Sequence, residues 1–438
     1  MLAPVIPAPL ARNPRLVVAL GDSRIAALFF DPSRRNKGNR SPFHWANALL
    51  DQRFTLVDSF GLSGDRTDQM LARLDATIAT GAGLLYFQGG VNNIGAVASG
   101  GYTYTHAVTG EVVTIDTVAA VTARDIRLIA NKARASGMIV VIEHEVGAGG
   151  YTTQEKVTAL ADLRANIADF AENTPDIFVH DAMPIVMQPQ YSANAVAYRS
   201  GYSYDPTHCS ARGAYRWGKS LAKVLAGIVT TARPVLLTNA IETSAARRRQ
   251  ALINPLFANA SGGTASAGAS GTVPANWTVS RSGSATANVS TAARADASGN
   301  DLIIAASYSA AGEIVTVSQA FDAPATGQWN SRLAVGDTYE VVAQVEITDA
   351  SALSALWLQV TTFAGSGAQT DSYDLYGVTT EAGLDEAATL TLRTRPFAIV
   401  TPTSSAYPYV VVYIKSAGTA AGNCTYRIKQ IGMKRIGN

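Results

Sequence analysis

The feature that most constrains this chain is an alternation in its first half. Short apolar runs occupy residues 15–20, 54–60, 84–88, 138–143 and 177–180. Runs this short, rich in Val, Ile and Leu and closed by Gly or polar residues, predict strands buried on both faces. Helical periodicity fills the gaps. Ser41-Pro42 opens a helix to about Asp51, with a cap followed by proline at the first helical position. Asp65 or Thr67 opens another, in which Met70, Leu71, Leu74 and Ile78 share a face. Residues 118–136, 154–172 and 210–229 are longer helices. Strand–helix alternation of this kind predicts right-handed βαβ units. The expected fold is a three-layer α/β sandwich around a flavodoxin-like, five-stranded parallel sheet of order 2-1-3-4-5. A Tyr/Thr-rich insertion around Thr109-Gly110 reads as a hairpin.

The pattern ends near residue 235. With 438 residues, two domains are expected. Residues 1–235 are read as the α/β domain and 236–258 as a helical linker carrying Arg247-Arg248-Arg249. Residues 259–438 are read as an all-β, jelly-roll-like sandwich, because Gly, Ala, Ser and Thr separate short alternating strands. The strands are expected at 313–321, 338–348, 356–363, 388–397, 407–415 and 424–432, with Asn259–Ala275 as a loose connection.

Composition narrows the function classes. A net charge of +2 gives no basis for a nucleic-acid or acidic-membrane partner. Cys209 and Cys424 are too far apart in the sequence to suggest a disulfide framework or a zinc site, so neither metal nor cofactor is expected. No run is long enough for a membrane helix, and no standard secretory signal precedes Arg15. An extracellular or virion-associated location is favoured over a cytoplasmic one. Homo-oligomer formation is left open.

The chemistry concentrates at the carboxyl ends of the strands, where open parallel sheets bind ligands. Strand one stops at Gly21-Asp22-Ser23, strand two at Ser63-Gly64-Asp65, and strand three at Gly90-Val91-Asn92-Asn93. In the order 2-1-3 these ends are neighbours. Ester hydrolysis needs a hydroxyl nucleophile and two or three donors for the developing oxyanion. Ser23 offers the hydroxyl. The Ser23 N–H, the Gly64 N–H and the Asn92 amide offer the donors. The competing reading of Asp22-Ser23 is an ordinary helix cap.

A base must come from five histidines. His44, in a helix, reads as packing, and His106, in the insertion, as a surface residue. His144 and His180 end strands, each with an adjacent acid that points to the opposite face. His208 lies in Asp205-Pro206-Thr207-His208, where a three-residue spacing lets a carboxylate reach the imidazole Nδ1. The alternative is that Asp205 caps a turn and His208 is incidental. Cys209, beside it, is a second and weaker nucleophile candidate.

Taken together, Gly21-Asp22-Ser23, Gly64, Gly90-Val91-Asn92-Asn93 and the Asp205–His208 block resemble the SGNH (GDSL-type) hydrolase superfamily over about residues 13–230. The resemblance implies a serine acyl hydrolase. Ser23 would be its nucleophile, His208 its general acid/base and Asp205 the orienter, with Ser23, Gly64 and Asn92 in the oxyanion hole. Two positions depart from the pattern. Arg24 stands where the family name implies leucine, a position expected to matter little. Asn93 stands where many members have Asp, which removes a carboxylate that would brace the site.

A sandwich joined to an esterase resembles a carbohydrate-binding module. Its aromatics are Trp277, Trp329, Trp357, Tyr373, Tyr376, Tyr407 and Tyr409, of which Trp357 reads as core. The pairing is similar to that in phage-tail and other surface-associated deacetylases. The leading expectation is therefore an O-acetyl esterase acting on an acylated carbohydrate or a small ester. The alternatives are a lipase-like or thioesterase-like hydrolase, an acyltransferase, and a non-catalytic tail or adhesion protein.

Overall fold

The computed structural model describes residues 12–29, 36–189, 196–231, 250–321, 333, 336–363, 369–377, 381, 383–399 and 410–437. The chain forms two compact units. The first comprises residues up to Leu28, Ser41–Ala46 and Arg53–Thr231; the second comprises Phe29–Arg40, Asn47–Gln52 and the chain from Ala232 onward. Composition divides the chain once, near 235, whereas the units take up two early segments out of turn. Most of the expected 236–258 linker lies outside the described residues.

In chain order the elements up to residue 231 are β1 (Leu16–Gly21), α1 (Ser23–Ala26), β2 (Asn36–Gly38), α2 (Pro42–Leu49), β3 (Thr55–Gly61), α3 (Thr67–Ala72), α4 (Leu74–Ala79), β4 (Leu84–Gln88), α5 (Val91–Gly95), β5 (Tyr104–Thr105), β6 (Val112–Val113), α6 (Val118–Ala135), β7 (Ile139–Glu143), α7 (Gln154–Glu172), β8 (Ile177–His180), α8 (Met183–Val186) and α9 (Ala211–Ile228). Five of these strands form one parallel sheet in the order β3-β1-β4-β7-β8, the expected 2-1-3-4-5. In β1, Val17, Val18, Ala19 and Leu20 are fully buried. Helical layers cover both faces of the sheet, which is why β1 reads as an unbroken apolar run rather than an alternating one. Each large aliphatic side chain buried here contributes roughly 1.5–3 kcal/mol. On the helical side, α6 packs against α3 and α7, and Trp45 of α2 meets Tyr215 of α9 edge-on at 5.3 Å. The expected single helix after Asp65 is two short helices, because the backbone breaks at Arg73. The insertion forms the small antiparallel hairpin β5–β6.

The second unit contains β9 (Thr264–Ala265), β10 (Ala269–Gly271), β11 (Thr278–Arg281), β12 (Thr286–Ala293), β13 (Asn300–Tyr308), β14 (Ile314–Phe321), β15 (Thr338–Asp349), β16 (Leu353–Phe363), β17 (Gln369–Tyr376), β18 (Ala388–Arg393), β19 (Phe397–Ala398), β20 (Val410–Gly418) and β21 (Gly422–Gly437). They build a β-sandwich of two sheets. One has the order β10-β12-β13-β21-β15-β18, with β19 beside β15; the other runs β2-β17-β16-β20-β14-β11-β9. Alternate residues face the core, as Leu302, Ile304, Ala306 and Tyr308 do along β13. The early segments join this unit through β2, which pairs in parallel with β17, and through buried Gln52, which donates to Asp374 Oδ2 at 3.1 Å. The expected loose connection at 259–275 instead carries β9 and β10. Both cysteines are free and buried. No described helix is long and apolar enough to cross a membrane.

Candidate active site

The turn after β1 is set by close packing. A Cβ on Gly21 would lie 2.2 Å from the Gln88 carbonyl oxygen and 2.5 Å from Ile25 Cγ1, so only glycine fits between β4 and α1. Asp22 then caps α1, its Oδ1 accepting the Arg24 N–H at 2.9 Å. Asp22 is fully buried, and burial pushes its carboxyl up to about 7 against the pull of Arg24. The cap reading of Asp22 is therefore correct, and it coexists with a second arrangement at Ser23.

Ser23 occupies the first position of α1. Its Oγ lies 2.7 Å from His208 Nε2, and His208 Nδ1 lies 2.8 Å from Asp205 Oδ2. Asp205 Oδ1 accepts the N–H groups of Thr207 and His208, both at 2.7 Å. With Nδ1–H donating to the carboxylate, Nε2 is left to accept the Ser23 hydroxyl. Partial burial opposes the charge on Asp205. The His208 contact and the two backbone donors outweigh it and hold the carboxyl below its ordinary range. The ring of Tyr204, 46% exposed, stacks on the His208 imidazole at 5.7 Å and 14°.

The other two strand ends complete the surroundings. Gly64 is exposed, with φ of +84° and open space where a Cβ would stand. Asn92, half-buried in the first turn of α5, donates from Nδ2 to the Asp65 carbonyl at 2.9 Å, which joins the ends of β3 and β4. Asn93 is fully buried. Its Oδ1 accepts the Thr67 N–H, and its Nδ2 donates to Thr67 Oγ1 and to the Tyr104 hydroxyl. An amide can donate and accept at once, so Asn93 braces α3 and the hairpin in a way a carboxylate could not.

The remaining histidines lie outside this chain of hydrogen bonds. His44 is buried in α2 with Nε2 2.8 Å from the Leu28 carbonyl. His106 was expected at the surface and is instead buried. Its Nδ1 accepts the N–H groups of Val108 and Thr109, and its Nε2 meets Asp125 of α6 at 3.1 Å. The tight turn of the hairpin folds the ring inward over that carboxylate. His180 Nδ1 bonds Glu143 Oε2 at 2.7 Å, an oxygen that also accepts Trp217 Nε1–H. His144 is buried with neither ring nitrogen hydrogen-bonded, and burial lowers it to about 4. Burial pushes the Cys209 thiol up to about 12, which leaves it a poor nucleophile.

Arg24, which sequence reasoning set aside, is buried. It pairs with Glu145 and reaches the loop that carries His208. A lone cation inside the apolar stretch after Ser23 was the available signal.

Residues 19–216 match the model of the GDSL-like Lipase/Acylhydrolase family. Those residues belong to that family. The GDSL-like domain is an ester hydrolase by family, acting on ester substrates. Among solved structures the chain is similar to a lipolytic protein of the G-D-S-L family from Desulfitobacterium hafniense DCB-2, at 17% identity over 48% of this chain and 99% of that one, with a TM-score of 0.34. An acetyl xylan esterase, AlAXEase, aligns at 13% identity over 48% and 99% of the two chains, with a TM-score of 0.34. A carbohydrate-binding module of the β-sandwich superfamily aligns at 13% identity over 36% and 56%, with a TM-score of 0.24. No curated protein matches the sequence.

Proposed function

We propose that the GDSL-like domain is a serine esterase that removes O-acyl groups, specifically O-acetyl groups, from a polysaccharide. The observation that carries this reading is the continuous hydrogen-bonded series Ser23 Oγ, His208 Nε2, His208 Nδ1 and Asp205 Oδ2, at 2.7 and 2.8 Å. His208 takes the Ser23 hydroxyl proton as Oγ attacks the ester carbonyl. Negative charge develops on the carbonyl oxygen, and the Ser23 N–H, the Gly64 N–H and the second amide hydrogen of Asn92 are its donors. Collapse breaks the bond to the sugar oxygen, which leaves with the proton from His208. Water, deprotonated by the same imidazole, then releases acetate from the acyl-enzyme. Asp205 holds the tautomer and stabilises the imidazolium.

Two features support a carbohydrate ester over a lipid ester. Tyr204 presents an exposed aromatic ring beside the base, a surface suited to the apolar face of a sugar. In the sandwich, cross-strand pairing places Tyr373, Gln359 and Tyr413 in one row and Asp371 beside Thr361 in the next. Gln359 and Thr361 are buried and Tyr373 packs beside the buried Ala355, Trp357 and Ala417, so the surface offered to a polymer is the exposed part of the half-buried Tyr373 and Tyr413 rings. Of the other aromatics considered for this role, Trp277 and Trp357 are buried, and Trp329, Tyr407 and Tyr409 lie outside the described residues. Acetate release from O-acetylated polysaccharides, compared with hydrolysis of p-nitrophenyl esters of increasing acyl length, tests the reading. Faster turnover of long acyl chains than of acetyl would favour a lipase-like or thioesterase-like hydrolase.

A further inference from the structure

We propose that Arg24 is a positioning residue that fixes the distance between Ser23 and His208; this rests on the reading of those two residues given above. Arg24 is 7% exposed, and each nitrogen of its guanidinium has a partner on a different stretch of chain or a different atom. Nε donates to the Thr207 carbonyl at 3.1 Å, Nη1 to Glu145 Oε1 at 2.6 Å, and Nη2 to the Gly147 carbonyl at 2.6 Å. Thr207 immediately precedes His208, and its carbonyl also accepts the Tyr198 hydroxyl at 3.0 Å. Glu145 Oε1 is held in turn by the Gly147 N–H at 2.8 Å. One planar fork therefore joins the turn after β1, the loop after β7 and the loop before α9.

Stability alone is a weak reason for such a group. Replacing a buried ion pair with apolar side chains of similar volume is often neutral or stabilising, because desolvation offsets the attraction. Geometry is a stronger reason. Ser23 and Arg24 are consecutive in α1, so a guanidinium locked onto Thr207 locks the hydroxyl relative to the imidazole 185 residues away. A lysine cannot substitute, since it offers a point charge in place of a rigid fork.

The test uses the full chain and four proteins: wild type, Arg24→Lys, Arg24→Leu, and Arg24→Leu combined with Glu145→Leu. For each, Tm, kcat and KM on a small acetate ester, and the rate of fluorophosphonate labelling at Ser23 are measured well below Tm. Arg24→Leu strands a buried carboxylate and lowers Tm, and the double variant regains it. In all three variants kcat and the labelling rate fall about 10–100-fold while KM changes little, since misplacement of about 1 Å has that cost. Arg24→Lys keeps the charge and folds, so it gives a reading even if both leucine variants fail to fold. Wild-type kcat and labelling in any folded variant would overturn the proposal and leave Arg24 a purely structural residue. Absence of labelling at Ser23 in the wild-type protein would refute the catalytic reading itself, and this proposal with it.

Discussion

Asn92 and Asn93 are adjacent and chemically identical, yet their surroundings separate them. Asn92 is half-buried at the end of β4, with one amide hydrogen committed to Asp65. Asn93 is wholly enclosed and satisfies Thr67 and Tyr104. Asn92→Ala is expected to lower kcat by about 10²–10³ with little change in KM, because an oxyanion donor acts on the transition state. Its Tm should stay near that of the wild type. Asn93→Ala should do the reverse, costing about 1–3 kcal/mol in stability through the buried donors and acceptors it leaves unpaired, with a smaller fall in kcat. Steady-state kinetics and thermal melts on both variants check this, and a reversed order would place the oxyanion donor one residue later. At this scale much of the candidate site was legible. Asp205 and His208 are three residues apart, so their contact follows from local geometry. The Arg24–Glu145 pair was not legible, because the two are 121 positions apart and only the fold brings them together.

The loop after β7 carries a buried histidine, His144, with neither ring nitrogen hydrogen-bonded. His144 is buried beside Arg164, Asp181, Glu143 and His180, and burial is the largest cause of its low value, about 4. An unfolded chain binds its proton near 6.5, so the native state binds fewer protons below that pH. The stability contributed by neutral His144 is complete above about 6.5 and is lost as pH falls through 4. His144→Leu should therefore flatten the decline in Tm between pH 7 and 4. Melting curves across that range check it, and parallel declines in both proteins would show that another group governs acid sensitivity. His180 shifts the opposite way, since Glu143 overcomes the effect of burial, and it is common to both proteins. Many elements were readable where side chains are large, but β13 was not expected although it carries Leu302, Ile303, Ile304 and Tyr308. β4 and α7 match the sequence reading residue for residue. β12 was missed because its buried positions are Ala287 and Val289 among Ser, Thr and Asn, and β17 because five of its eight residues are Gln, Thr, Asp or Ser. Small or polar residues in a strand leave little hydrophobic alternation to detect.

At the scale of the whole molecule, the proposed function assigns chemistry to the first unit and retention of the polymer to the second. Tyr373→Ala combined with Tyr413→Ala should leave hydrolysis of a soluble acetate ester within about twofold of wild type. Release of acetate from an insoluble acetylated polymer should fall several-fold, because tethering raises local substrate concentration without touching the chemical step. Equal rates on the polymer would mean that this face of the sandwich does not hold substrate. The sequence showed the change from α/β to all-β, but not that residues 29–40 and 47–52 count with the second unit, since β2 is three residues long and its partner strand lies more than 300 residues later. The catalytic readings depend on Ser23 being the nucleophile, and its direct test is kcat of Ser23→Ala on a small acetate ester. The expected result is a fall of at least about 10³-fold in a protein with unchanged Tm; retention of kcat within about tenfold would contradict the assignment of Ser23, His208 and Asp205 as the catalytic group.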